Sequence, residues 1–197
     1  MFGATVYGNY IGGRWIESGP RFENRNPANT DEVVGLFVEG TAEDIARAAD
    51  AAAGALPSWA AMNAPARGSI LFKAAEILES RFEQVAAEMT REEGKTLPEA
   101  KGEVRRSINI LRYYAGEGAR LAGILAPSER HRVQTFAIRK PLGVVGLVTP
   151  WNFPSAIPAW KLAPALICGN TVVLKPATPA PLSAWRIVEA LHEAGLP

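Results

Sequence analysis

Two polar side chains follow two short apolar runs near the end of the sequence. Asn152 comes shortly after the run GVVGLV, and Lys175 ends the run NTVVLK. Both runs are continuously apolar and rich in β-branched residues, which is typical of parallel strands covered on both faces. Because ligands bind outside the carboxyl ends of such strands, we expect Asn152 and Lys175 to share one edge of a sheet.

The two residues suit different steps of one reaction. An asparagine amide on a rigid loop can donate a hydrogen bond to an oxygen that gains negative charge during reaction. A lysine on the neighbouring loop can bond a ribose hydroxyl or a phosphate. Each residue alone also fits a plainer role, Asn152 in an Asx-turn and Lys175 as a solvated charge. Their placement at adjacent strand ends favours a binding site.

The elements that position these residues form a strand, helix, strand, helix series over 143–197, joined by a right-handed crossover. Before it the pattern predicts four helices. The first is capped by Thr41 and ended or kinked by Pro57, and the others begin near Pro65 or cover 81–93 and 98–121.

Short strands are predicted at both ends of this helical region. Residues 5–38 hold a Gly-Gly hairpin signal and a strand over 32–38. The alternation over 133–140 predicts a half-exposed strand, at a sheet edge or extended toward another subunit.

Composition excludes several classes of protein. A net charge of +1 gives no basic field for nucleic acid, and no apolar run approaches the roughly 20 residues of a membrane span. The N-terminus lacks the pattern of a signal peptide. The single cysteine, Cys168, excludes an internal disulfide and suits a reducing compartment, so we expect a cytoplasmic protein. The two histidines have no partners in the sequence that predict a metal site.

The segments TPWNFP, AWKLAPAL, CGNTVVLKPA and HEAGLP together closely resemble the NAD(P)-dependent aldehyde dehydrogenase superfamily. Upstream, NPAN, REEGKTL and LRYYAGEGARL fit the same family, so the resemblance covers nearly the whole chain. It implies an α/β fold, with an incomplete Rossmann-like parallel-sheet cofactor-binding domain, N-terminal helices and a strand segment of the oligomerisation arm. The family oxidises aldehydes to acids: a cysteine thiolate forms a thiohemiacetal, hydride passes to nicotinamide, and a glutamate activates the hydrolytic water.

The resemblance also implies roles for individual residues. Asn152 resembles the oxyanion-hole amide, with Lys161 supporting it. Lys175 resembles the lysine that bonds the adenosine ribose, and Phe153 and Trp160 would lie along the aldehyde tunnel. The remaining cofactor-binding residues implied by the motif are Thr149, Pro150, Trp151, Pro176, Ala177 and Thr178.

Thr178 stands where many NAD-preferring members have glutamate. A carboxylate there would bond the ribose 2′-hydroxyl and repel a 2′-phosphate, whereas a hydroxyl tolerates either. The sequence therefore predicts that the cofactor is NADP or NAD, with NADP accepted.

The nucleophilic cysteine, the glutamate and the nicotinamide-side glycine-rich turn of the family are expected beyond residue 197. Cys168 lies at the end of a helix instead, where we expect a buried structural thiol. The expected division is 1–122 for N-terminal hairpins and helices, 123–142 for a bridging strand segment, and 143–197 for the start of the dinucleotide-binding core. The catalytic domain would be absent and the 197-residue chain inactive, with an exposed apolar sheet edge.

The stretch NFPSAIPAWKLAPAL is most like members that act on α-ketoglutarate semialdehyde. Arg106 aligns with a family position in the aldehyde tunnel, where its guanidinium can pair with the distal carboxylate of such a substrate. A surface arginine on a mixed helix face is the equal alternative. The rival functions are succinate-semialdehyde or aromatic aldehyde dehydrogenase, or a non-catalytic nucleotide-binding fragment. The family implies a homodimer or homotetramer.

Overall fold

The computed structural model describes residues 5–197, so residues 1–4 of the predicted N-terminal segment lie outside the described part. The chain is a mixed α/β protein, as predicted. Its elements in chain order are β1 (Val6–Tyr7), β2 (Asn9–Ile11), β3 (Arg14–Ile16), β4 (Arg21–Asn26), β5 (Asn29–Val38), α1 (Ala42–Ala61), α2 (Ala64–Ser80), α3 (Phe82–Glu93), α4 (Leu97–Glu117), β6 (Ile124–Pro127), β7 (Gln134–Ala137), β8 (Val144–Val148), α5 (Ala156–Ile167), β9 (Thr171–Lys175) and α6 (Leu182–Ala194).

The N-terminal strands form two small sheets. One has the order β1-β5-β4, and the other is the β2–β3 hairpin. Gly12 and Gly13 close this hairpin with φ angles of 58° and 78°, the left-handed conformation that a two-residue turn requires. The Gly-Gly hairpin prediction is confirmed.

Local signals set most helix ends. Thr41 and Asp44 form a capping box at α1, and Thr96 and Glu99 form another at α4. Gly94 ends α3 in the left-handed conformation, with a φ of 92°. The four predicted helices are therefore present, with ends that differ by a few residues from the prediction.

The sequence predicts that Pro57 ends or kinks the first helix. The predicted helix end is wrong, because α1 continues past Pro57 to Ala61. The turn after the proline is held by tertiary packing. Trp59 is 1% exposed, and its indole N–H donates to the Leu166 carbonyl of α5 at 3.1 Å. Burial of a tryptophan outweighs the one helical hydrogen bond that Pro57 cannot donate.

The predicted strand pair near the C-terminus is present and parallel. In β8 and β9, Val144 lies opposite Thr171 and Val148 lies opposite Lys175, without a register shift. Helices α1 and α5 both pack against this pair. The expected covering of both strand faces is wrong for β8, because Val144 and Val148 are 40% and 74% exposed while Leu147, on the opposite face, is buried. Apolar composition alone could not distinguish these two faces.

One core joins α2, α3, α4, α5 and α6. Its largest fully buried side chains include Leu71, Met89, Ile108, Leu162 and Ile187. Helices α2 and α4 approach closely at Gly68, where an added Cβ would lie 2.4 Å from the Ala115 carbonyl oxygen. This close approach requires glycine.

The strand predicted over 133–140 is shorter than expected and pairs with β6 in a two-stranded hairpin. All four residues of β7 are exposed, so the half-exposed prediction is wrong. Phe136 and Leu125 are 71% and 69% exposed. Across residues 5–197, no helix combines the length and apolar character needed to cross a membrane.

Candidate functional site

The segment 149–154 starts beside Lys175, because the two parallel strands end side by side. The Thr149 N–H donates to the Lys175 carbonyl at 3.3 Å. Thr149 itself is 4% exposed, and its Oγ1 is buried without a hydrogen-bond partner among the described residues. The loops that follow β8 and β9 thus leave the sheet at one edge, about 4.8 Å apart.

The other end of this segment is anchored on α4. The buried Glu103 carboxylate accepts from the backbone N–H groups of Ser155 and Ala156 at 2.9 and 3.0 Å. The Ser107 and Ser155 hydroxyls bond each other at 2.8 Å. A carboxylate at this position satisfies N–H groups that have no partner within α5 and stabilises the positive end of that helix.

Asn152 lies between these anchors with an exposed side chain. An Asx-turn at Asn152 would need the N–H of residue 154, and residue 154 is a proline, which has none. The plainer alternative considered for Asn152 is therefore excluded by covalent structure. The Asn152 backbone carbonyl accepts from the Lys95 ammonium at 3.2 Å, and the side-chain amide is exposed.

The loop after β9 carries Lys175 and Thr178, both exposed. Asn24 of β4 anchors this loop, because its side-chain amide donates to the Pro179 carbonyl at 2.8 Å. Glu92 accepts from the N–H groups of Leu182 and Ser183 at 2.6 and 2.8 Å, and so caps α6 as Glu103 caps α5. Burial outweighs these bonds and raises the pKa of Glu92 to about 7.

Two cavities adjoin these loops. A small one, of about 330 Å³, is lined by Trp151 from the first loop and Thr178 from the second. A larger one, of about 790 Å³, is lined by the second loop from Lys175 to Thr178 and by Val188 of α6. The polar Lys175 and Thr178 and apolar side chains such as Val188 all line this cavity.

The residues expected along the aldehyde tunnel form an exposed group on α4, α5 and the first loop. The Arg106 guanidinium lies 5.1 Å from the centre of the Trp160 ring. Phe153 is 40% exposed, and Lys95 lies 4.8 Å from its ring centre. In the part of the chain that is described, Arg106 forms no ion pair with a carboxylate within 4 Å. The structure brings Arg106 and Trp160 into contact, and their place along an aldehyde tunnel stays a prediction.

Two other predicted residues lie apart from this arrangement. Lys161 is exposed on α5, and its support of Asn152 stays a prediction, whereas Lys95 contacts the Asn152 backbone directly. The prediction that Cys168 is buried is wrong: it is exposed at the C-terminal end of α5. Its position at the last turn, with Gly169 turning the chain away, leaves its side chain outside the core.

The charged residues that hold both loops were not among the predicted site residues. Lys95, Glu103 and Glu92 come from the α3–α4 corner, and all three have side chains that are mostly removed from solvent. No pattern in the sequence singles them out, since a glutamate such as Glu103 beside an apolar helix position such as Val104 is usually exposed to solvent.

Known proteins match this chain over nearly all of its length. The pattern of the "Aldehyde dehydrogenase family" matches residues 15–197. The "Alpha-ketoglutaric semialdehyde dehydrogenase" of Bacillus subtilis (strain 168) is 51% identical over 98% of this chain and 40% of its own. The "2,5-dioxopentanoate dehydrogenase" of Saccharolobus solfataricus is 45% identical over 93% and 39%. The chain thus spans about 40% of the length of these curated relatives.

Solved structures agree with these matches. An NADP-dependent enzyme of E. coli superimposes with a TM-score of 0.93 at 36% identity, over 98% of this chain and 40% of that one. Aldehyde dehydrogenase 21 of Physcomitrella patens, in complex with the reaction product succinate, gives a TM-score of 0.93 at 36% identity, over 99% and 42%. The fold, the family pattern and the long alignments lead to one conclusion: the chain belongs to the aldehyde dehydrogenase family.

Proposed function

We propose that this chain supplies the oxyanion-stabilising and cofactor-binding part of an NAD(P)-dependent enzyme that oxidises an aldehyde to a carboxylic acid. The observation that carries the proposal is the parallel register of β8 and β9. This register starts the Asn152 loop and the Lys175 loop side by side, at the sheet edge where α/β proteins bind ligands.

In this proposal the Asn152 amide donates a hydrogen bond to the aldehyde oxygen as that oxygen becomes negative. The exposed amide, the bonded carbonyl and the absence of an Asx-turn bond support this role. A donor that is already in place when charge develops lowers the barrier without reorganisation.

The thiol that attacks the aldehyde comes from polypeptide outside these 197 residues. Cys168, the single cysteine of the sequence, lies at the opposite end of α5 from Asn152. A helix of 12 residues is about 18 Å long, so Cys168 cannot reach a carbonyl bonded to Asn152. This distance supports the expectation that the chain alone is inactive.

The cofactor would lie along Lys175, Pro176, Ala177 and Thr178, with Thr149, Pro150 and Trp151 beside it. The polar Lys175 and Thr178, together with the apolar residues that line the larger cavity, support placing the adenosine part of NAD or NADP there. Lys175 would bond the adenosine ribose. The hydroxyl of Thr178 would be compatible with either a 2′-hydroxyl or a 2′-phosphate on that ribose. When bound, the nicotinamide supplies the hydride acceptor of the reaction.

The substrate we favour is a carboxylated semialdehyde, of the kind named for the Bacillus and Saccharolobus relatives. The exposed Arg106 guanidinium is stacked on Trp160 and has no ion-pair partner in the described chain, so it can receive a substrate carboxylate. Succinate semialdehyde is the second candidate, because the Physcomitrella structure holds succinate as its product. Homo-oligomer formation rests on the family resemblance, and the cytoplasmic location rests on the single cysteine and the absence of a signal-peptide pattern.

The test compares the complete polypeptide that carries this chain with its Asn152→Ala variant, using aldehyde-dependent NAD(P)H formation as the assay. Loss of the oxyanion donor should lower kcat by about 10²–10³. The control is Gln84→Ala, which removes an exposed amide on α3 that bonds Glu88 at 2.9 Å. Equal kcat values for Asn152→Ala and the parent would refute the proposal, as would turnover by the 197-residue chain alone.

A further inference from the structure

Lys95 and Glu103 are charged residues that the fold buries beneath the Asn152 loop. The Lys95 side chain is 11% exposed and that of Glu103 is 2% exposed, and the two form an ion pair. Removing two charges from water costs several kcal/mol, which the attraction within the pair offsets only when further hydrogen bonds satisfy both groups. The other contacts of Lys95 and Glu103 show which segments of the chain the pair holds.

Apart from the ion pair, the carboxylate of Glu103 bonds only to the start of α5, where its Oε1 accepts from the Ser155 and Ala156 N–H groups. The neighbouring Ser107 of α4 also reaches this point, because its hydroxyl bonds that of Ser155. The residues just after the Asn152 loop are therefore tied to α4 by three polar contacts.

The remaining contacts of Lys95 go to the loop itself. Its ammonium donates to the Asn152 carbonyl at 3.2 Å and lies 4.8 Å from the Phe153 ring centre. It also lies 3.4 Å from a carboxylate oxygen of Glu93, so one positive charge faces two negative ones. The positive end of α5 offsets the excess negative charge.

We propose that Lys95 and Glu103 are positioning residues that aim the Asn152 amide. Lys95 holds the carbonyl of residue 152, and Glu103 holds the N–H groups three and four residues later, so the exposed Asn152 side chain on this anchored segment has a set direction. The inference rests on the proposed function, since it assigns these two residues to the oxyanion donor. A shift of about 1 Å in such a donor can cost on the order of 100-fold in rate.

The test uses Lys95→Met in the complete polypeptide, with kcat, both KM values and the thermal midpoint measured together. We expect kcat to fall tenfold to 100-fold, with the cofactor KM changed less than about twofold. Lys95→Arg, which keeps the positive charge, should recover most of the lost kcat. Lys101→Met is the matched control, because Lys101 is a nearby lysine on α4 that instead pairs with the exposed Glu83 at 2.8 Å. It should leave kcat unchanged.

The double variant Lys95→Met/Asn152→Ala separates positioning from general stability. If Lys95 acts through Asn152, its substitution should lower kcat less than twofold further in the Asn152→Ala background. A full additional tenfold loss there would overturn the inference. If Lys95→Met does not fold, Glu103→Gln takes its place, since glutamine keeps the volume and one acceptor oxygen; an unchanged kcat in that variant would also overturn it.

The outcomes distinguish this inference from the proposed function. An Asn152→Ala variant with normal kcat would refute the proposed function. A large loss in Asn152→Ala combined with normal kcat in Lys95→Met would refute the positioning role alone.

Discussion

Glu92 lends itself to a quantitative prediction, because its carboxyl is both buried and titratable near neutral pH. It is 2% exposed and bonds two N–H groups at the start of α6. Those bonds favour the charged carboxylate, whereas burial favours the neutral acid, and burial is the larger effect. The pKa of Glu92 is therefore raised from 4.5 to about 7 in the folded chain.

The direction of the pH dependence follows from these two values. Between pH 4.5 and 7 the folded chain binds a proton at Glu92 more readily than the unfolded chain does. The free energy of unfolding must therefore decrease as pH rises through this range, and level off above pH 7. Each pH unit of this window corresponds to about 1.4 kcal/mol, so the decrease from pH 5 to pH 8 is about 2 to 3 kcal/mol.

Glu92→Gln removes this titration and keeps the shape and one acceptor oxygen. The amide nitrogen of glutamine cannot accept, so one of the two N–H bonds is lost at every pH and lowers the stability of the variant by a constant amount. We expect the stability of the variant relative to the parent to rise by about 2 to 3 kcal/mol between pH 5 and pH 8. Urea unfolding of both chains from pH 5 to pH 9 measures this change, in which the contributions of all other titrating groups cancel. A difference between the two chains that stays constant over this range, or falls, would show that the N–H bonds outweigh burial, and the reasoning would fail.

Three further predictions concern the cofactor, the substrate and the packing. Thr178→Glu should lower kcat/KM for NADP relative to NAD at least tenfold, because a carboxylate repels the 2′-phosphate. The prediction fails if the parent enzyme strongly prefers NAD and no substitution at residue 178 changes that preference. Arg106→Met should raise the KM for a carboxylated semialdehyde at least tenfold and leave uncharged aldehydes unaffected. Arg105→Met serves as its control, because it removes a neighbouring arginine that pairs with Glu79 instead. An unchanged KM in Arg106→Met would show that Arg106 does not bind the substrate carboxylate. Gly68→Ala should destabilise the chain by about 1 to 3 kcal/mol in urea unfolding, because the new methyl group meets the Ala115 carbonyl at 2.4 Å. Gly54→Ala in α1, where nothing lies within 4 Å, should be neutral or stabilising, and equal losses in both variants would refute the packing argument.

The sequence by itself determined the local elements, because their signals are short-range. Thr41 and Gly94 mark helix ends through hydrogen bonds and backbone angles that involve only neighbouring residues. The apolar runs around 144–148 and 171–175 identify a parallel strand pair in the same way. The placement of Asn152 and Lys175 at one edge follows from that pair, because parallel strands end at the same side of a sheet. Even the exclusion of an Asx-turn at Asn152 needs only the proline at residue 154.

The tertiary structure alone decided which charges hold those loops and which surfaces are covered. Lys95 and Glu103 are eight residues apart on different sides of a helix start, and nothing in their spacing predicts that both bond to residues 152–156. Pro57 stays inside α1 because Trp59 is buried against α5, and Cys168 is exposed because the chain turns at Gly169. The loop anchors and the path of α1 depend on contacts between residues about 50 to 110 positions apart. The strength of these contacts comes from burial, and burial is a property of the assembled fold.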